Sequence, residues 1–214
     1  MNQQKIKVII ADDHAILRAG IKQILMATDD MEVVAEAKNA SEAIKFAGQV
    51  KADVMLLDIA LPDRSGIDAL KYIKKDNAKI GVLMLSMYRE DQYAVRALKS
   101  GASGYLCKQS ASNELENAIR TVAKGKKYIT PEVAEVLASH VETETQKLPH
   151  ELLSDREFQT LTMIASGLSV SEIAEKLSLS VKTVSMYRTR LLEKMQLKHN
   201  ADITHYVIKN NLDT

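Results

Sequence analysis

Short apolar runs recur through the first half of the chain, at 6–10 (IKVII), 32–35 (EVVA), 54–57 (VMLL), 80–85 (IGVLML) and 104–106 (GYL). Each is bounded by polar or turn residues, and several are almost wholly apolar. That is the pattern of strands buried on both faces of a parallel sheet. Between the runs the apolar spacing is helical: Ile16, Leu17, Ile21, Ile24 and Leu25 within 14–27, a segment 41–50 opening at Ser41, then 65–75, 91–100 and 112–124. Strand alternating with helix five times predicts right-handed crossovers and an α/β doubly wound, five-stranded parallel sheet over residues 1–124.

After Gly125 the period changes. Thr130-Pro131-Glu132 is a helix start, with an N-cap candidate followed by proline in the first turn, and predicts a short helix to about His140. The polar stretch VETETQKLPH follows, so residues 125–149 read as a linker containing a short helix. From there to the end every pattern is helical. Ser154-x-x-Glu157 and Ser169-x-x-Glu172 are capping boxes, and Gly167 stops the first of these helices. Ser180 caps a third helix with Val181, Val184, Tyr187, Leu191 and Met195 toward the core, and a fourth runs from about Ala201 to Asn211. Residues 150–214 thus form a second, all-α, four-helix domain.

Composition narrows the function classes. The 214 residues carry 29 Lys and Arg against 28 Asp and Glu, a net charge of +1, so any nucleic-acid binding must come from a local patch. No run approaches the ~18–20 consecutive apolar residues of a membrane span. The first residues, MNQQK, lead into no apolar stretch with a cleavage site, so no signal peptide is expected. A single cysteine, Cys107, can form neither an internal disulfide nor a cysteine-based zinc site. The expected location is the cytoplasm, with no membrane partner.

In an open parallel sheet, ligands bind at the carboxyl ends of the strands. There the first strand ends in Asp12-Asp13, the third in Asp58 and the fourth in Ser86, and the fifth leads into Lys108. Three carboxylates converging on one crevice repel each other unless a cation lies between them. Oxygen ligands with few protein donors and room for water suit Mg²⁺. A carboxylate so placed can attack phosphorus and form an acyl phosphate, while the cation and the lysine ammonium neutralise the phosphoryl oxygens. His14 is a surface or capping residue by this reading, because Mg²⁺ disfavours nitrogen.

Asp12-Asp13, Asp58 with Pro62 and Gly66, Ser86, and Gly-Tyr105-Leu-Cys-Lys108 resemble the receiver domain of two-component response regulators. The resemblance implies Asp58 as phosphoacceptor, a Mg²⁺ site of Asp12, Asp13, Asp58 and the Ala60 carbonyl, and Ser86 and Tyr105 as a switch pair. It implies Lys108 as the phosphoryl contact and a sensor histidine kinase as partner.

The second domain is charge-balanced, but 182–198 holds Lys182, Arg188, Arg190, Lys194 and Lys198 against Glu193 alone. A short helix, a turn at Ser178-Leu179-Ser180 and this basic helix follow the helix-turn-helix plan. Lys182, Ser185, Met186 and Thr189 lie away from the core face and are candidates for base edges, Met186 against a thymine methyl. Arg188, Arg190, Lys182 and Lys194 suit phosphates, as does Thr183 near the helix N-terminus. Leu153-Ser154-x-Arg156-Glu157, Glu172-Ile-Ala174, Ser180-x-Lys-Thr183-Val184 and Lys194-Met-x-Leu197 resemble the LuxR-type helix-turn-helix. Together the halves resemble the NarL/FixJ class, and Lys182 to Leu191 its GacA/UvrY/BvgA branch. That implies a transcription regulator that binds double-stranded promoter DNA, as a homodimer when phosphorylated, with the last helix serving either core packing of its own domain or dimerisation. The residues alone also allow a Mg²⁺-dependent phosphohydrolase with an aspartyl nucleophile, or a DNA-binding module with a vestigial receiver. No second general acid or phosphate-binding GxxxxGK loop supports the enzyme.

Overall fold

The structure, a computed structural model, describes residues 5–87, 90–109, 111–142, 148–210 and 212. The chain divides into two compact units, Met1–Leu137 and Ala138–Thr214.

The first unit alternates strand and helix: β1 (Ile6–Ala11), α1 (Ala15–Met26), β2 (Met31–Ala37), α2 (Ala40–Gln49), β3 (Val54–Asp58), α3 (Gly66–Asp76), β4 (Gly81–Ser86), α4 (Glu90–Lys99), β5 (Gly104–Cys107) and α5 (Ala111–Ala123). The five strands form one sheet in the order β2-β1-β3-β4-β5, and every neighbouring pair is parallel. β3, β4 and β5 are buried at every position, which is why their sequences are nearly all apolar. β2 is the edge strand and only half-buried along most of its length, so its ends at Met31 and Ala37 lie beyond the apolar run. One core cluster joins Val8, Ile10, Val54, Leu56, Leu83 and Leu85 of the sheet to Ile21 and Leu25 of α1 and Leu115, Ile119 and Val122 of α5.

Two helix starts are informative. The helix predicted to open at Ser41 opens one residue earlier, because the Asn39 side chain accepts the Glu42 N–H at 2.8 Å and is the N-cap. At α3, Gly66 is required: a Cβ there would lie 1.9 Å from the Asp58 carbonyl oxygen. β1 pairs with β2 on one side and β3 on the other, so the winding reverses at β1/β3 and the crevice opens there.

Helix α6 (Pro131–Glu142) begins as predicted at Thr130, whose hydroxyl accepts the Val133 N–H at 3.3 Å. The division between units falls inside α6. The second unit has a 3-10 turn (Pro149–Leu152) and four helices, α7 (Asp155–Ala165), α8 (Val170–Lys176), α9 (Val181–Met195) and α10 (Asn200–Lys209). Both capping boxes form: Ser154 with Glu157, and Ser169 with Glu172. Gly167 takes φ 87° and ends α7, a conformation that costs glycine no steric strain. Phe158, Leu161, Ile173, Val184, Leu191, Ile203 and Val207 are buried in this unit. Val181 departs from expectation. It is 51% exposed, because the first position of α9 precedes the turn at which the helix meets its neighbours. No helix among the described residues is long and apolar enough to cross a membrane.

Candidate functional site

The switch-point crevice gathers Asp12, Asp13, His14 and Asp58. One ligand atom from each lies within 4.8 Å of the others. Asp12 and Asp58 are buried, while Asp13 and His14 are exposed. β3 delivers Asp58 as its last residue, and β1 delivers Asp12 as the first residue beyond its end. Lys108 follows β5, and its amide donates to the Ser86 carbonyl at 2.7 Å, which aims its side chain back over the sheet end. Its Nζ lies 2.7 Å from Asp12 Oδ2 and 2.9 Å from Asp58 Oδ2.

The β1–α1 turn is itself held in place. The His14 N–H donates to Asp12 Oδ1 at 2.8 Å, and its ring Nδ1 lies 3.0 Å from the same oxygen and 2.8 Å from Asp13 Oδ1. Arg18 Nη1 donates to the Asp12 carbonyl at 2.7 Å. Sequence reasoning did not find Arg18, because nothing in a helical wheel says that a side chain folds back to the turn before it.

Charge in the crevice is unbalanced. Burial pushes the Asp58 carboxyl above its ordinary value; Lys108 opposes this, Asp12 reinforces it, and the Ala60 amide opposes it with a hydrogen bond. Burial would lower the Lys108 ammonium, but Asp58 and Asp12 hold it above the usual lysine range. One ammonium thus serves two buried carboxylates, with a third at the rim. The Oδ2 atoms of Asp12 and Asp58 are both buried and make no aligned hydrogen bond. Under-satisfied, all-carboxylate oxygen at this density fits a hard divalent cation.

Ser86 ends β4 and Tyr105 lies in β5, both with no exposed surface. Ala60, two residues past Asp58, is half-buried. Cys107 is a buried free thiol.

In the second unit α8 and α9 are joined by a four-residue turn with Ser178 at φ 53°. The Leu179 N–H closes it on the Ala174 carbonyl at 2.8 Å. Ser180 Oγ accepts the Thr183 N–H at 3.0 Å, and the two hydroxyls are 2.7 Å apart, so Thr183 takes part in the cap. Lys182, Ser185, Met186, Thr189 and Arg190 are exposed on α9. Arg188 is half-buried and donates from Nε to Asn200 Oδ1 at 2.7 Å. Lys194 also has a partner within the unit. Its Nζ lies 2.6 Å from Glu157 Oε2, a buried carboxylate that also accepts the Ser154 N–H at 2.8 Å.

An acidic crevice at the switch point of a doubly wound sheet, followed by a helix-turn-helix, defines a class of two-part regulators, and comparison with known proteins agrees. Residues 8–120 match the response regulator receiver domain, and residues 151–207 match the bacterial regulatory proteins of the luxR family. The response regulator UvrY of Escherichia coli strain K12 is 36% identical over 208 residues, covering 97% of this chain and 95% of that protein. The response regulator GacA of Pseudomonas syringae pv. syringae is 34% identical, covering 97% of each. The solved structure of RcsB from Salmonella enterica serovar Typhimurium, bound to promoter rprA with the phosphomimetic BeF3-, superimposes with a TM-score of 0.64 at 27% identity, over 95% of this chain and 98% of that one. The chain belongs to the two-component response regulators of the NarL/FixJ class, with a receiver domain and a LuxR-type DNA-binding domain.

Proposed function

We propose that this protein is a phosphorylation-switched transcription regulator acting in the cytoplasm, with residues 1–124 as receiver, 125–149 as linker and 150–214 as DNA-binding domain. A sensor histidine kinase supplies the phosphoryl group. The ionised Asp58 carboxylate attacks phosphorus; the P–O bond forms as the P–N bond to the kinase imidazole breaks. The receiver catalyses this step on itself and does not turn over as an enzyme. The observation that carries the reading is Lys108 held 2.7 Å and 2.9 Å from the buried Asp12 and Asp58 carboxylates at the switch point.

Asp12, Asp13, Asp58 and the Ala60 carbonyl would hold Mg²⁺. The cation would neutralise negative charge on the incoming phosphoryl group. Lys108 is already charged and dehydrated, so it can trade its contact with Asp58 for one with a phosphoryl oxygen. The Ser86 hydroxyl is the donor that a new phosphoryl oxygen recruits, and Tyr105 on the adjacent strand repacks with it. In the DNA-binding domain, Lys182, Ser185, Met186 and Thr189 face base edges, and Thr183, Arg188, Arg190 and Lys194 face phosphates. Thr183 also supports the start of α9, and Arg188 its junction with α10. The phosphorylated form pairs as a homodimer through α10, which presents two recognition helices to double-stranded promoter DNA.

The test is incorporation of radiolabelled phosphate from a small-molecule phosphoryl donor with Mg²⁺. Wild type is expected to take up close to one phosphate per chain, lost in EDTA and in Asp58→Asn. Equal labelling of Asp58→Asn would sink the assignment.

A further inference from the structure

The loop between β3 and α3, residues 59–65, carries Ala60. Its ends are fixed by backbone. The Ile59 N–H donates to the Leu85 carbonyl at 3.2 Å, and the Gly66 N–H closes on the Ile59 carbonyl at 2.9 Å. Its middle is anchored by the buried Leu61 and by Arg64 stacked 4.5 Å over the Tyr72 ring, and it is tied to α2 through the Asp63 side chain. Asp63 Oδ1 accepts the Ala40 N–H at 2.8 Å. Asp63 Oδ2 accepts the Ser41 N–H at 2.9 Å and the Ser41 hydroxyl at 2.6 Å.

Ala40 and Ser41 are the first two residues of α2. Their amides belong to the set that every helix start leaves without an internal partner. The third amide, that of Glu42, goes to the local cap Asn39. The start of α2 is therefore satisfied from two places, by Asn39 next to it in sequence and by Asp63 from the loop. A carboxylate is also favoured at the positive end of a helix. Partial burial would raise the Asp63 carboxyl, but the Ser41 hydroxyl and the two amides draw it below its ordinary value, so it is charged at neutral pH. Helix α2 contributes no residue to the crevice, and a contact with it has no purpose in binding phosphate directly.

We infer that Asp63 is a positioning residue for the phosphate-receiving pocket: it clamps the 59–65 loop to the start of α2 and so holds Ala60 where its carbonyl joins the three aspartates around a divalent cation. The inference rests on the assignment of Asp12, Asp13, Asp58 and Ala60 as the cation site. Ala60 stands three residues before the clamp and six before Gly66. Released at Asp63, the loop keeps its ends and the buried Leu61 but loses its ties to α2, three residues from Ala60. Asn39 provides the contrast, because it caps the same helix and makes no bond to the loop.

The experiment measures cation binding directly, using Mn²⁺ as a paramagnetic stand-in for Mg²⁺ and the free-ion EPR signal as readout. Full-length wild type, Asp63→Ala and Asn39→Ala are compared, with melting curves recorded on each. Asp63→Ala is expected to weaken Mn²⁺ binding about tenfold, the scale lost when a supporting partner of a metal site is removed. Asn39→Ala is expected to lower the melting temperature and leave Mn²⁺ affinity within twofold of wild type. If Asp63→Ala fails to fold, Ser41→Ala removes one of the three bonds and is expected to weaken binding two- to threefold. Wild-type affinity in Asp63→Ala, or equal weakening in Asn39→Ala, would overturn the inference while leaving the cation site standing. Failure of wild type to bind Mn²⁺ at all would overturn both.

Discussion

Replacing Asp58 with asparagine is expected to stabilise the receiver domain while abolishing its phosphorylation. Asp12 Oδ2 and Asp58 Oδ2 sit 2.7 Å and 2.9 Å from one Nζ, so they are at most about 5.6 Å apart. At an effective dielectric of ~20 their repulsion is about 3 kcal/mol, and the attraction of Lys108 for Asp58 is about 6 kcal/mol. Removing water from a buried carboxylate costs several kcal/mol more. The sum disfavours the charged form, because burial and Asp12 together outweigh Lys108 and hold the Asp58 carboxyl above its ordinary value. The neutral amide keeps the shape and leaves Asp12 and Lys108 as a balanced pair. Without metal, Asp58→Asn is therefore expected to be more stable than wild type.

The sign with pH is opposite to that of a salt-bridged carboxylate. A folded-state pKa raised above the unfolded value means that the folded form binds the extra proton. Wild type without metal therefore gains stability as pH falls through the raised Asp58 pKa, and its difference from Asp58→Asn closes over the same range. Urea denaturation at pH 7.5 in EDTA, repeated at lower pH and with Mg²⁺, checks each step. Mg²⁺ should narrow the gap at pH 7.5 by binding folded wild type. If Asp58→Asn is less stable than wild type in EDTA at pH 7.5, the electrostatic account of the pocket is wrong.

Other perturbations address other elements. Lys194→Ala strands the buried Glu157 carboxylate and should cost the DNA-binding domain roughly 1–3 kcal/mol, discounted for the half-exposed lysine and read from urea denaturation. Burial would raise Glu157, but Lys194 and Ser154 draw it below its usual 4.5, so its contribution is present above that pH and lost as pH falls toward the folded value. Glu157→Gln should flatten that acid limb in a series of melting curves. Gly66→Ala drives a methyl into the Asp58 carbonyl and should destabilise the receiver by about 3 kcal/mol, with melting temperature as the measure. Arg190→Ala should weaken binding to all DNA sequences alike and reduce the logarithmic salt slope by about one, measured by fluorescence anisotropy across ionic strengths.

The strands could be read from the sequence because burial on both faces leaves no room for polar residues in β3, β4 and β5. The acidic cluster could be read because strand ends are where such a sheet binds ligands. Long-range side-chain partnerships could not. Nothing near Asp63 announces Ser41 twenty-two positions earlier, and nothing near Lys194 announces Glu157 thirty-seven positions earlier. Val181 was misplaced for a different reason: a helical wheel assigns an apolar residue to the core face and ignores where along the axis the packing begins.

Occupancy of the Asp58 pocket is expected to control assembly and DNA binding. Sedimentation velocity on wild type and Asp58→Ala, with Mg²⁺ and with or without beryllofluoride, tests it most directly, with promoter DNA selected on whichever state assembles. The account predicts that beryllofluoride converts wild type alone to a dimer with raised DNA affinity. The same sedimentation and DNA affinity in wild type with and without the mimic, or an equal response in Asp58→Ala, would contradict it.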